Sequence, residues 1–245
     1  MTREFSGKTY WIIGASEGLG RALAHELTSA GAKLILSARN STRLEDLSAE
    51  LGGARVIMLD VTDENSVVNA VGQAGSVDGL IYCVGLYEPM TAPNWQTASA
   101  ESMCDANFIG AMRILGRVLP GMIRQNNGHI ILIGSLAGYR GLPGAIGYGA
   151  SKAALMHLAE NLFAETRKTG VTVQLANPGF IQTRLTDKNT FAMPMIMSAQ
   201  AAARHVMKLM QSDRFRVDFP RPFSWFFKAG RFLPDWLFYG MIGRK

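Results

Sequence analysis

Tyr148 and Lys152 lie four residues apart, and their types and spacing suit acid–base chemistry. Positions i and i+4 of a helix share one face, which would bring the ammonium close to the phenol. Because a nearby cation stabilises the phenolate, we expect Lys152 to lower the tyrosine pKa by roughly 1–3 units from about 10. The pair then predicts a general acid or base near neutral pH. Since a Tyr-x3-Lys pair is common by chance, the prediction depends on other residues.

Two polar residues upstream support that chemistry. Ser135 follows the apolar run 130–133 and precedes Tyr148 by 13 residues. Ligands gather at the carboxyl ends of parallel strands, so this hydroxyl could bind a substrate oxygen beside the phenol. Asn107 interrupts a helical stretch, where asparagine is a mediocre helix former. It is either an ordinary surface residue or a kink that directs its carbonyl towards a water linked to Lys152.

A glycine-rich segment, Gly14-Ala-Ser-Glu-Gly18-Leu-Gly20, joins the first predicted strand to a helix. Such a turn lets a pyrophosphate approach the backbone, and the helix N-terminus offers free N–H groups to the anion. The spacing differs from G-x-G-x-x-G, and a plain glycine-rich turn is the alternative. The candidate cofactor-binding residues in this segment are Gly14, Ser16, Gly18, Leu19 and Gly20.

The ends of the second and third predicted strands indicate which dinucleotide would bind. Arg39 follows the second strand, at the position that faces the adenosine ribose in dinucleotide folds. An arginine there suits a 2′-phosphate, whereas an acidic residue would hold the free hydroxyl. We therefore favour NADP(H), with NAD(H) and a solvated surface arginine as alternatives. Asp60, followed by Val61, could accept a hydrogen bond from the adenine amino group or cap a helix.

Short β-branched runs alternate with helical patterns along the chain, which predicts an α/β fold with a doubly wound, Rossmann-type parallel sheet of about seven strands and helices on both faces. We expect a single dinucleotide-binding and catalytic domain over 1–212, followed by a last strand and an aromatic, basic extension over 213–245. The predicted strands span 8–13, 33–37, 55–59, 79–83, 129–133, 171–176 and 215–219. The predicted helices span 18–30, 41–51, 63–73, 100–124, 148–169 and 199–211.

Composition excludes several classes of protein. With 48% hydrophobic and 18% charged residues, the 245-residue chain is a folded protein rather than a disordered one. The two cysteines lie 21 positions apart and the four histidines are scattered, so neither a disulfide framework nor a metal-ligand spacing is present. Residues 213–245 hold seven Lys/Arg against three Asp, which is +4 of the net +6. A nucleic-acid-binding face would normally run across the whole fold.

These residues together resemble the compact branch of the short-chain dehydrogenase/reductase family, over about residues 5–212. The matching positions are Gly14, Gly18, Gly20, Asp60, Asn107, Ser135, Tyr148, Lys152 and Asn177-Pro178-Gly179. The resemblance implies hydride transfer between nicotinamide C4 and a carbonyl or alcohol carbon. It implies that Tyr148 is the acid/base, that Ser135 orients the carbonyl, and that Lys152 lowers the tyrosine pKa and binds the nicotinamide ribose.

The same resemblance implies roles for residues further along the chain. Asn107 would support a proton-relay water, and Ile181 and Thr183 would hold the carboxamide. Pro178, Gly179 and Gly85 match further cofactor-binding positions. The long helices over 100–124 and 148–169 resemble those through which family members form homodimers or homotetramers.

Three positions depart from the family pattern. Ile13 replaces the usual threonine before the first glycine, and Tyr82-Cys-Val-Gly85 replaces Asn-Asn-Ala-Gly. This second change predicts weaker bracing of the sheet and of the adenosine ribose. Glu17 occupies a position that is often basic in NADP-preferring members, so it argues against the assignment from Arg39.

Residues 184–198 correspond to the mobile substrate lid of that family. Phe191, Met193, Met195 and Met197 suggest an adaptable apolar cover for the substrate. Packing of these side chains into the core of the fold is the alternative.

The C-terminal tail is unusually aromatic, since ten of the 22 aromatic residues fall between Phe215 and Tyr239. As one helix, it would carry a polar stripe opposite its aromatic side, with a break or kink at Pro234. The predicted stripe comprises Ser224, Lys228, Arg231 and Asp235. Such a helix suits the interface of an anionic membrane, and a tail folded onto its own domain or a sister subunit is the alternative.

The leading hypothesis is therefore an NADP(H)-dependent carbonyl reductase or alcohol dehydrogenase acting on an apolar, lipid-like small molecule. A non-catalytic nucleotide-sensing protein with the same fold is the alternative, and nucleic acid is not an expected partner. Because no stretch offers about 20 uncharged apolar residues, we expect a cytoplasmic protein, either free or attached peripherally to the inner face of the membrane.

Overall fold

The computed structural model describes residues 3–188 and 193–242. Seven parallel strands form one sheet in the order β3-β2-β1-β4-β5-β6-β7. The strands are β1 Thr9–Ile13, β2 Lys33–Ser37, β3 Arg55–Val56, β4 Gly79–Tyr82, β5 Gly128–Ile133, β6 Val171–Pro178 and β7 Arg216–Phe219. This order confirms the predicted doubly wound sheet. Strands are added on one side of β1 as far as β3 and on its other side from β4 onwards. This change of side leaves a crevice at the carboxyl ends of β1 and β4.

Helices cover both faces of the sheet, as predicted. They are α1 Gly18–Ser29, α2 Ser41–Glu50, α3 Glu64–Ala74, α4 Thr97–Cys104, α5 Gly110–Arg124, α6 Ile146–Thr166, α7 Ala199–Met210, α8 Phe223–Gly230 and α9 Asp235–Ile242. The first three helices each follow a strand after a short connection. Each helix returns the chain to the end of the sheet where the next parallel strand begins.

The strands are apolar on both sides because each face of the sheet is buried. Trp11 and Ile13 of β1 pack into one apolar cluster, whereas Tyr10 and Ile12 pack into the cluster on the opposite face. This alternation follows from the period of two along a strand. The two clusters therefore enclose the sheet from both sides.

The helix predicted over 100–124 is interrupted. It begins earlier, at Thr97, and residues Asp105–Ile109 are π-helical between α4 and α5. A π-helical turn inserts one residue into the helix and commonly marks a functional site. Here it turns the Asn107 side chain fully inward, so the reading of Asn107 as an ordinary surface residue is wrong.

The third strand is shorter than predicted. Regular β3 pairing ends at Val56, because the chain then bends towards the crevice. The N–H groups of Ile57 and Leu59 still donate to Leu36 and Ala38, at 3.0 and 3.1 Å. The segment therefore continues alongside β2 without forming a ladder.

The tail forms two short helices, α8 and α9, and Pro234 lies between them as expected. The predicted polar stripe is wrong at Ser224, which is buried. The reason is that α8 turns this side towards β7, where Lys228 forms an ion pair with Asp218 at 3.2 Å. Among the described residues, no helix combines the length and the apolar character needed to cross a membrane.

Candidate active site

A crevice of about 520 Å³ opens at the carboxyl ends of the central strands, where the sheet order reverses. All of the predicted cofactor-binding residues line it: Gly14, Ser16, Gly18, Leu19, Gly20, Arg39, Asp60, Val61, Gly85, Tyr148, Lys152, Pro178, Gly179, Ile181 and Thr183. The fold therefore brings together five loops that are far apart in sequence.

Tyr148 projects from the first turn of α6 into this crevice. Its ring packs edge-on against Tyr87, with ring centroids 5.1 Å apart. Burial raises the pKa of Tyr148, and the nearby Tyr87 and Cys83 act in the same direction, whereas a hydrogen bond with Ser135 lowers it. The phenol therefore keeps its proton at neutral pH.

Lys152 lies one turn further along α6 and is only 2% exposed. Its Nζ donates to the carbonyl oxygens of Ile133 at 2.9 Å and Val84 at 3.1 Å. It lies 5.9 Å from the centre of the Tyr148 ring. Burial lowers the pKa of Lys152 to about 8.

The two pKa directions correct the expectation that Lys152 lowers the pKa of Tyr148. In this structure the tyrosine pKa is raised and the lysine pKa is lowered. The reason is that desolvation, the largest cause at each residue, disfavours the charged form of the group.

Ser135 is positioned by the turn that follows β5. Its Oγ accepts a hydrogen bond from the Ala137 N–H at 3.1 Å and caps a short 3-10 turn. The same hydroxyl reaches Tyr148. Ser135 is 7% exposed, so its orientation is set by its surroundings.

Asn107 connects the π-helical turn to two neighbouring segments. Its side chain accepts from the Leu86 N–H at 2.7 Å and donates to the Leu86 carbonyl at 2.9 Å. It also donates to Ser151 Oγ at 2.9 Å. The amide therefore holds the loop after β4 against α6, next to Lys152. The proposed water contact of its backbone carbonyl stays a prediction.

The loop after β4 is braced despite its departure from the family pattern. Tyr82 Oη donates to the Ala106 carbonyl at 2.6 Å, and the Cys83 N–H donates to Ile13 at 2.8 Å. Lys152 also donates to the Val84 carbonyl, so the loop is held to the π-helical turn, β1 and α6, while weaker bracing relative to the family pattern stays a prediction.

At two positions of the glycine-rich turn, any side chain would collide with neighbouring backbone atoms. Gly14 has a φ of 88°, and a Cβ there would lie 2.9 Å from the Cys83 backbone. A Cβ on Gly20 would lie 2.0 Å from the Gly14 carbonyl oxygen. Glu17 stands at the N-cap of α1 but makes no capping hydrogen bond with its side chain. The N–H groups of the first turn of α1 therefore face the crevice without a side-chain cap, which fits a dinucleotide pyrophosphate.

The other end of the crevice is basic. Arg39 and Arg43 both line it.

Asp60 lies at the same end of the crevice. Its Oδ1 accepts hydrogen bonds from the Thr62 N–H at 2.9 Å and from the Thr62 hydroxyl at 2.7 Å. The N-cap of α3 is Asp63, so the alternative that Asp60 caps a helix is wrong.

Comparison with known proteins agrees with this geometry. Residues 8–193 match the short chain dehydrogenase family. The chain belongs to this family. It is 33% identical over 243 residues to an uncharacterized oxidoreductase of Myxococcus xanthus, covering 96% of each chain. It is 32% identical over 187 residues to the 3-oxoacyl-[acyl-carrier-protein] reductase FabG of Escherichia coli, covering 74% of this chain and 77% of the reductase.

One solved structure is similar over most of the chain. It is the closed form of serine dehydrogenase complexed with NADP+, with a TM-score of 0.78 and 26% identity. The match covers 86% of this chain and 94% of that chain. The chain is thus an oxidoreductase of a family that uses NAD(P)(H).

Glu17 of this short-chain dehydrogenase is paired with two arginines. Its carboxylate binds Arg43 at 2.7 Å and Arg184 at 2.7 Å. Neither arginine was among the sequence-based candidates. The spacing of Arg43, four residues after Arg39 at the start of α2, was a signal that could have identified it.

The segment expected to form the substrate lid is described except for residues 189–192, so Phe191 lies outside the described residues. Arg184 ties the start of the segment to the glycine-rich turn, and Lys188 forms an ion pair with Glu88. Met195 is exposed, whereas Met197 packs against the apolar cluster beside β1. Met197 thus follows the core-packing alternative, and a substrate-covering role for the other side chains stays a prediction.

Among the residues that the structure describes, no group of three or more His, Cys, Asp or Glu side chains is arranged to hold a metal ion.

Proposed function

We propose that this short-chain dehydrogenase is an NADP(H)-dependent oxidoreductase acting on a carbonyl or secondary alcohol of an apolar, lipid-like small molecule. One observation carries the proposal: Tyr148 faces the same crevice as the glycine-rich turn, with Lys152 Nζ 5.9 Å from the centre of its ring and Ser135 close enough to lower its pKa. When bound, the nicotinamide supplies or accepts the hydride.

Tyr148 is the proposed general acid. Because burial raises its pKa, the phenol holds a proton that it can donate to the substrate oxygen as a carbonyl is reduced. In the reverse direction it would have to lose that proton first, at a cost that burial increases.

Ser135 and Lys152 act beside the phenol. The Ser135 hydroxyl can donate a hydrogen bond to the substrate oxygen and orient the carbonyl between itself and Tyr148. Lys152 Nζ can exchange one of its two backbone acceptors, Val84 or Ile133, for the nicotinamide ribose. Asn107 would hold the loop that carries Val84 and Leu86 in place. In this way it would support a proton-relay water, as the family resemblance implies.

Preference for NADP(H) follows from the charges at the adenosine end. Arg39 faces this part of the crevice, and an arginine there suits a 2′-phosphate. Glu17 no longer argues against this preference, because its charge is offset by Arg43 and Arg184. The bound NADP+ of the similar serine dehydrogenase is consistent with it.

An apolar substrate fits the side chains beside Tyr148. Leu86, Leu185 and the Tyr87 ring lie on this side of the crevice. The acyl substrate class in the name of the similar FabG reductase agrees with this choice. A homodimer or homotetramer is also part of the proposal, because α5 exposes Met112 and Ile123 and α6 exposes Phe163.

The direct test is cofactor oxidation with NADPH or NADH and a panel of apolar ketones and 3-oxoacyl thioesters. The proposal predicts turnover with at least one apolar ketone and a lower KM for NADPH than for NADH. Tight NADPH binding with no oxidation across the panel would contradict it and would favour a nucleotide sensor.

A further inference from the structure

The C-terminal helices α8 and α9 expose large apolar side chains. Phe232 is 88% exposed, Trp236 76% and Trp225 57%. We call this surface the aromatic face; its members are Trp225, Phe226, Phe232, Trp236, Tyr239 and Met241. Isolated exposed apolar residues are ordinary, but six large ones within residues 225–241 indicate an interaction surface.

The aromatic face is held firmly by the opposite side of the same helices. Phe227 of α8 and Phe238 of α9 are buried. The Arg140 guanidinium stacks on the Phe238 ring at 4.5 Å, and its Nη2 forms an ion pair with Asp235 at 2.7 Å. The tail is therefore folded onto its own domain by one side, which leaves its other side outward.

The charge around the face is positive. Asp218 and Asp235 are already paired with Lys228 and Arg140. Arg221 and Arg231 are exposed and contact aromatic rings, Trp225 and Tyr139, at 6.0 and 5.8 Å. Neither has a carboxylate partner within the described part of the chain. The surface thus combines exposed rings with free cations.

This combination favours an anionic lipid surface over a second copy of the chain. A two-fold contact would bring the same basic patch of both copies together, which costs Coulomb energy. Trp and Phe side chains prefer the membrane–water interface, and arginines beside them attract anionic headgroups. Helices of eight residues can lie in that interface without crossing it.

The start of α8 also adjoins the crevice. Phe223, at the start of α8, packs against Phe180, and a Cβ on Gly179 would lie 3.2 Å from the Phe223 ring. Gly179 lines the crevice. Helix α8 therefore links the aromatic face to the crevice.

We propose that α8 and α9 dock this protein onto an anionic lipid surface through the aromatic face and the flanking Arg221 and Arg231. Docking does not depend on the proposed reaction, since vesicle binding is measured without turnover. A failure of the reaction and a failure of docking are thus separate results.

The test is co-sedimentation with phosphatidylcholine vesicles that contain or lack phosphatidylserine. We expect binding only to the anionic vesicles, weakened by high salt. The double variant F232S/W236S should abolish binding, and Arg231→Glu should weaken it by about fivefold or more. The variant residues are exposed, and circular dichroism and thermal unfolding check that each variant folds.

Two matched controls lie at the opposite edge of the sheet. Met58→Ser removes an exposed apolar side chain next to β3, and Lys33→Glu reverses a charge at the start of β2. Both should bind like the unchanged protein. Absence of vesicle binding would overturn the proposal, as would equal losses in the control variants. A change of oligomeric state in F232S/W236S without vesicle binding would assign the face to a second copy and also overturn it.

Discussion

At Tyr148 and Lys152, burial and charge act against each other. Spacing alone predicts that the two side chains lie on one face of α6. They do, and Lys152 Nζ is 5.9 Å from the centre of the Tyr148 ring. Spacing cannot predict which effect prevails, because burial depends on Val84, Ile133 and Tyr87 from other parts of the chain. Desolvation prevails here, so the tyrosine pKa is raised and the lysine pKa falls to about 8. The site is therefore suited to proton donation.

Arg39 should determine cofactor preference. We predict that Arg39→Asp raises the KM for NADPH by about 10- to 100-fold, since a charge-assisted phosphate contact is replaced by repulsion. The KM for NADH should change little or fall, because Asp can bind the free ribose hydroxyl. Steady-state kinetics with both cofactors measures this shift.

Arg124→Asp, an exposed change at the end of α5, is the matched control and should leave both KM values unchanged. An unaltered ratio of the two KM values in Arg39→Asp would remove Arg39 from the 2′-phosphate site.

Among the elements, the π-helical turn is the one that sequence could not predict. The helical pattern over 100–124 identified a helix, but the irregular turn depends on partners distant in sequence. Asn107 bonds to Leu86 and Ser151, and Tyr82 reaches Ala106. The glycine-rich turn was predictable because its constraint is local: Gly20 packs against Gly14 six residues away.

Asn107 should act as a positioning residue for the loop that carries Val84 and Leu86. Asn107→Ala leaves the Leu86 N–H and carbonyl without their partner, so the free energy of unfolding should fall by about 1–3 kcal/mol. The kcat should fall as well, because the loop that provides an acceptor for Lys152 loses its anchor. Urea unfolding and steady-state kinetics measure the two effects.

Asn65→Ala, an exposed change in the first turn of α3, is the control and should affect kcat little. If Asn107→Ala retained full kcat while losing stability, Asn107 would be structural only.

On the scale of the whole molecule, the sheet and its two-sided core were predictable, whereas the outward faces were not. Apolar strands such as β2 and β5 identify buried parallel strands wherever they occur. The tail shows the limit of such reasoning. Its composition indicated an amphipathic helix, but Ser224 turns inward and Trp236 outward, because the domain supplies Asp218 and Arg140 as partners for Lys228 and Asp235.

A buried histidine should make the stability of the fold sensitive to acid. His129 bonds to Tyr10 and Gln174, each at 2.8 Å, and burial lowers its pKa from 6.5 to about 3. Below pH 6.5 the unfolded chain takes up a proton at this residue, whereas the native state does not until about pH 3. The free energy of unfolding should therefore fall by about 2 kcal/mol between pH 7 and pH 5 through this group.

Urea unfolding at pH 7 and pH 5 measures that loss. His129→Gln should remove it, so the variant loses less stability over the interval than the unchanged protein. The exposed His157, changed to Gln, should keep the original pH dependence. An equal pH dependence in His129→Gln would show that His129 is not buried as a neutral ring.

The central claim is that the Tyr148 phenol transfers the proton in a crevice that binds the dinucleotide. The most direct measurement is the kcat of Tyr148→Phe with NADPH and an active ketone, alongside NADPH binding followed by fluorescence, with Tyr239→Phe as the control. We predict that Tyr148→Phe lowers kcat by about 100-fold or more and leaves NADPH affinity largely unchanged, while Tyr239→Phe keeps full activity. Retained turnover in Tyr148→Phe would contradict the account.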